Sequence, residues 1–458
     1  MLNRFLLLAA LLAVGVPSQL LACPFCNAVA QTLRQEMSAM DAVVIAVALE
    51  SDATRNKETG EVAMKVQQVL KGGDYVSVDQ KVIAVYYGEV KAGRVFLLQG
   101  VDPPKLQWSC LPLSKRAQKY VSDLTKVADD PLERLRFYQD YLQDSESMLA
   151  RDAYDEFAVA PYDAVQKLGP EMDHDQLVKW ISDPEMSTDR KRLYLTMLGV
   201  CGKDSDLKML ESMLRSTKKS TRGGLDALIA CYLTLAKDPG LKVIDELFLE
   251  NKKAPYAETY AGIMAIRFHG TEGDVIPRSA LVESLHYVLD RPDLADLVIP
   301  DLARWKDWSQ IDRLVKLFAD AEADNNWVRV PVVNYLRACP LPKAKEALEK
   351  LEKIDPESVR RANTFFSIPV PAKETDSSTS ALPSSDHTDV AAAGTIGKAG
   401  DLTASAAVFG EPINSANKTM NPWRMVYVLV LGIATIVIAQ VLLITGGSYK
   451  KAVVTESA

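Results

Sequence analysis

DLKMLESML (206–214), LKVIDELFL (241–249), ALVESLHYVL (280–289), QIDRLVKLF (310–318) and AKEALEKL (344–351) are one pattern written five times. Each is a short amphipathic helix whose apolar residues recur three and four positions apart, which places them on one face. Charged or proline-containing turns punctuate the series at Lys203-Asp204, Lys237-Asp238-Pro239, Lys306-Asp307 and Pro340-Leu341-Pro342. The intervals, about 30 to 39 residues, lie in or near the range of helical-pair repeats. One pair cannot bury its own apolar face, so stacked neighbours must supply the core. The pattern predicts an all-α helical-repeat array over 125–365; the bland alternative is a bundle whose spacing coincides. At the start of this stretch, 137–165 is rich in aromatic and acidic residues. Tyr138, Tyr141, Tyr154, Phe157 and Tyr162 are spaced for helix-to-helix packing, and the acids read as solvated charge.

Upstream the texture changes to β. Asp41-Ala-Val-Val-Ile-Ala-Val-Ala-Leu49 is a continuous apolar run. Val62, Met64 and Val66 alternate with polar residues, as do Val76 and Val78; Lys81–Tyr87 and Arg94–Leu98 follow, separated by glycines. Short strands with glycine punctuation predict a small β-barrel-like domain, or a sandwich, over 23–124. A helix is expected before the strands, with Val29, Leu33 and Met37 on one face. Another is expected over Ser114–Leu124, with Ser114 as its N-cap.

Both ends of the chain read as membrane-targeting segments. Arg4, the apolar run Phe5–Val16 and Ser18-Gln19-Leu20-Leu21-Ala22 have the three parts of a secretory signal peptide over 1–22. MVYVLVLGIATIVIAQVLLIT (425–445) carries no charge and is long enough to cross a hydrocarbon core of about 30 Å as a helix. With an exported N-terminus this predicts a single-pass type I membrane protein. Its body would be extracytoplasmic (periplasmic), with a short cytoplasmic tail at 446–458. Between body and membrane, 366–421 is dominated by Ser, Thr, Ala, Pro and Gly and is expected to be a disordered linker.

The chain has 458 residues, a formal net charge of −7, and no Lys/Arg run longer than three residues, which argues against nucleic-acid binding. Six cysteines are too few for a disulfide-built fold. Cys23-Pro-Phe-Cys26 is the one local motif with chemical content. Three readings stay open for it: a structural disulfide from Cys23 or Cys26 to Cys110, a redox or metal-handling thiol pair, or lipid attachment at Cys23. Cys201, Cys231 and Cys339 are expected to be buried free thiols. The four histidines, His174, His269, His286 and His387, form no ligand pair, and there is no phosphate-binding loop, nucleophile elbow or dinucleotide fingerprint. Beyond the readings open for Cys23 and Cys26, no catalytic residue, metal ligand or cofactor site is expected.

Cys23 and Cys26, the strand Asp41-Ala-Val-Val-Ile-Ala-Val47, the Val69-Leu70-Lys71-Gly72 turn and Trp108-Ser109-Cys110 resemble the netrin-like family that includes the tissue inhibitors of metalloproteinases. The resemblance implies an OB barrel, and a Cys23 amine able to chelate a protease zinc; C-x-x-C stands where that family has C-x-C. The remainder is similar to the HEAT-like helical repeats of exported bacterial membrane proteins. The function expected is a non-enzymatic protein-binding or scaffold module with a protein partner and a membrane anchor. The alternative is a thiol-redox or metal-handling protein using Cys23 and Cys26.

Overall fold

A computed structural model describes residues 25–26, 29–322 and 326–365, all within the first of the chain's two units, Met1–Glu374. Cys23, His387 and the expectations for 1–22, 366–421, 425–445 and 446–458 lie outside the described residues. Among the described residues, no helix is long and apolar enough to cross a membrane.

The chain enters through a short helix, α1 (Leu33–Ala39), closed at its start by a capping box between Thr32 and Gln35. Leu33 and Met37 are buried as their spacing requires, but Val29 precedes the helix and is exposed. Five strands follow: β1 (Ala42–Ala48), β2 (Glu61–Lys71), β3 (Lys81–Val85), β4 (Val95–Val101) and β5 (Gln107–Leu113). They form one antiparallel sheet in the order β3-β2-β1-β4-β5. The sheet curls until β3 and β5 approach each other without pairing, which gives an OB-like half-barrel. Inside the curl, Val44, Ala46, Val62, Met64, Val82, Phe96 and Leu98 make a core of their own.

Val43, Ile45 and Leu97 point the other way, into a second and much larger core shared with the helices. Central β1 is thus apolar on both faces, which is why it reads as a continuous run while β2 alternates. Val76 and Val78, expected in a strand, lie instead in the connection from β2 to β3. That connection starts at Gly72, where φ is +80° and a Cβ would stand 2.5 Å from the Asp41 carbonyl. Only glycine fits there without displacing the start of β1. Tyr75 N–H closes the turn on the Gly72 carbonyl at 2.9 Å.

Among the described residues there are seventeen helices. After α1 come α2 (Lys115–Leu124), α3 (Pro131–Gln139), α4 (Ser147–Val159), α5 (Tyr162–Leu168), α6 (His174–Ser182), α7 (Thr188–Cys201), α8 (Leu207–Leu214) and α9 (Leu225–Ala236). They continue as α10 (Asp238–Ile244, prolonged by a π turn to Leu249), α11 (Tyr256–Thr271), α12 (Arg278–Val288), α13 (Ile299–Arg304), α14 (Ile311–Asp320), α15 (Arg329–Ala338), α16 (Pro342–Ile354) and α17 (Pro356–Phe365). Ser114 caps α2 as expected, its Oγ accepting from Ala117 N–H at 3.0 Å.

From α3 onward, alternate helices are neighbours. α3, α5, α7, α9 and α11 pack side by side in one row, as do α13, α15 and α17. A second row contains α10 with its π turn beside α12, and α14 beside α16. The five sequence repeats fall on α8, α10, α12, α14 and α16. One continuous core joins Phe25, the outer face of β1 and β4, and the helices as far as Ala362.

Candidate functional site

The segment that carries Cys26 is strapped onto the helical array at two points. Phe25 is buried and lines a small socket together with Leu195 and Gly199 of α7 and Cys231 of α9. Phe268 of α11 closes it with ring centroids 5.1 Å apart, and Tyr162 of α5 meets Phe268 edge-on at the same distance. Further along, the strap's backbone is held by acids of α4. Ala30 N–H donates to Asp155 Oδ1 at 3.2 Å, and Leu33 N–H to Asp152 Oδ1 at 2.6 Å. The second oxygen of Asp152 accepts from the Tyr120 hydroxyl at 2.6 Å.

Asp152, Asp155 and Glu156 lie at i, i+3 and i+4 on one face of α4, and all three are buried. This corrects the expectation that the chain's acids are solvated charge. Glu156 is matched by Arg134 at 2.7 Å and Arg34 at 3.5 Å. Asp152 has no cationic partner among its contacts. Burial pushes its carboxyl up to about 6, although the Tyr120 hydroxyl and Leu33 N–H pull it down. The seam is incompletely satisfied: the Tyr138 hydroxyl, Glu156 Oε2 and Arg34 Nε are buried with no hydrogen-bond partner.

Cys26 and Cys110 serve opposite sides of the sheet. Cys26 is half-buried against the large helical core, whereas Cys110, on β5 opposite Leu98, packs on the core inside the curl. Cys110 is a free thiol, and burial pushes it up to about 11, away from a reactive thiolate. Cys201, Cys231 and Cys339 are free thiols as well; Cys231 and Cys339 are buried and Cys201 half-buried. Burial raises Cys201 and Cys231 above the ordinary thiol range.

The described histidines serve the helices. His174 opens α6, with Nε2 2.8 Å from Asp206 and Nδ1 2.8 Å from Asp175; those two carboxylates raise its pKa. His286 meets Asp307 at 2.7 Å. His269 is buried with Nε2 3.1 Å from the Ala230 carbonyl, and burial pushes it down to about 4, so it stays neutral and donates that bond. Among the described residues, no three metal-ligating side chains gather into a group that could hold an ion.

The half-barrel carries an exposed apolar row. Among the described residues, β3 is hydrogen-bonded only to β2. On its outer face Ile83 is 65% and Val85 49% exposed, and beyond its end Tyr87 is 74% exposed, with its ring over Gly60. Tyr75 and Val78 of the preceding connection are also exposed. Glu61, Ala63 and Lys65 of β2 pair with Val85, Ile83 and Lys81 and frame the row with charge. No family model, curated protein or solved structure matches the chain.

Proposed function

We propose that this chain is a membrane-anchored, extracytoplasmic protein-binding module. Its half-barrel presents the outer face of β3 to a protein partner. The helical array, HEAT-like in its pairing of rows, is the rigid body that holds that face in place. The observation that carries the reading is the row Ile83, Val85 and Tyr87, where large apolar side chains stand in solvent on an edge strand. Natural edge strands are normally blunted with charge, proline or a bulge, and clustered apolar exposure marks interaction sites. A tyrosine beside aliphatic residues, rimmed by lysine and glutamate, has the make-up of a contact patch. Anchoring rests on the uncharged span 425–445 and the signal-like 1–22.

The test places a photo-crosslinking phenylalanine analogue at residue 87 of the full chain in its native membrane, with a second chain carrying it at Tyr256 on the array. A discrete adduct from position 87, lost on Ile83→Lys, is the expected result. Adducts from position 256 alone, or an adduct at 87 indifferent to Ile83→Lys, would overturn the docking face. Protease that reaches the body only from the cytoplasmic side would overturn the topology.

A further inference from the structure

A cleft of about 260 Å³ opens between α6, α7, α8 and the connection before α9. Ile181, Met209 and Met213 give it an apolar wall, and Ser182, Ser212 and Thr221 contribute hydroxyls. Lys191 of α7 also lines it, and that side chain is only 1% exposed. Its methylene stem lies under the backbone of Gly223, where a Cβ would stand 3.4 Å from Cδ. Its Nζ donates to the Ser220 carbonyl at 2.8 Å.

An ammonium group has three hydrogens to place, and a neutral carbonyl offsets little of its charge. Among the described residues Asp183 is the one carboxylate acting on it, through space and without an ion pair; burial outweighs that attraction and lowers the amine's pKa. A buried cation beside an open cleft is a setting that an anion completes. One positive charge balances one negative charge, so a phosphate dianion would arrive over-charged and a carboxylate would not. The thioether and isoleucine wall favours a ligand with an apolar body, and the volume, just below the roughly 300–1,000 Å³ of most small-molecule sites, keeps it compact.

We propose that this cleft binds a small organic carboxylate, its anionic head on Lys191 Nζ and the neighbouring hydroxyls and its apolar body on Ile181, Met209 and Met213. The site is independent of the β3 face and stands whether or not that face docks a partner.

Hexanoate and its neutral counterpart hexanamide are the probes, titrated into the full-length protein carrying ¹³C-methyl methionine. Hexanoate should shift the Met209 and Met213 signals saturably, and hexanamide should not. Lys191→Met, which keeps the stem and deletes the charge, should weaken hexanoate by about 10- to 100-fold, the worth of a charged hydrogen bond. Ser212→Leu fills the cleft with Lys191 intact and should abolish the shifts, so the test survives if Lys191→Met fails to fold. Absence of saturable shifts at millimolar hexanoate, equal response to hexanamide, or binding unchanged in a folded variant would overturn the proposal.

Discussion

Val43, Ile45 and Leu97 share the outer face of the sheet with Ile83 and Val85, yet the first three are sealed under helices and the last two stand in water. The strands are similar in residue type and are joined through one hydrogen-bonded ladder from β4 to β3. The difference is position. β1 and β4 lie where the helical array abuts the sheet, and β3 lies at the far edge. Alternation along a strand decides which side chains share a face, but a neighbouring element decides whether that face is covered.

The sharpest way to break this contrast is to place the same charge on both halves. Ile45→Asp puts an unpaired carboxylate in the shared core and should cost more than about 4 kcal/mol, abolishing a cooperative thermal transition; Ile83→Asp should cost no more than about 0.5 kcal/mol. Comparable losses at both positions, read by thermal unfolding, would mean that β3 is not open. The strap tests the covered half from another side. Phe25→Ala empties the socket against Phe268 and should cost about 3–5 kcal/mol in urea titrations, whereas a change within about 0.5 kcal/mol would show that the ring is not seated.

The smallest effect concerns the α4 seam. Asp152 has a folded-state carboxyl raised to about 6 from an ordinary 3.8. Folding therefore binds a proton between those values, so this group's contribution is fully present below pH 4 and is lost as pH rises through about 6. Urea midpoints should carry this slope in the wild type, and Asp152→Asn should flatten it. An unchanged slope in the variant would assign it elsewhere, Asp245 being the first alternative because burial raises it to about 6 as well.

Legibility in the sequence followed wetting. α8, α12, α14 and α16 each keep a solvent-facing side, so their period stood out. In α7 the residues from Leu193 to Leu198 are buried in succession, and in α9 those from Ala227 to Leu233, so these helices read as apolar stretches without a face. β5 escaped notice because its burial is weak along most of its length. The acids of α4 looked solvated because their partners arrive from afar: Arg34 is 122 positions from Glu156, and Leu33 is 119 from Asp152. Lys191 sits in the charged run Asp189-Arg190-Lys191-Arg192, and nothing local marks which of the four turns inward.

The socket for Phe25 also dictates a sequence of events. Phe25 leaves the ribosome before almost everything it touches, and Phe268, the ring that closes over it, is made after β1–β5 and most of α1–α11. Synthesis runs from the N-terminus, so the first aromatic side chain of the described body must wait for one of the later ones before it can settle. A nascent polypeptide halted before α11 would expose a lone ring and a three-sided hole, a handle by which a chaperone could tell the unfinished molecule from the finished one.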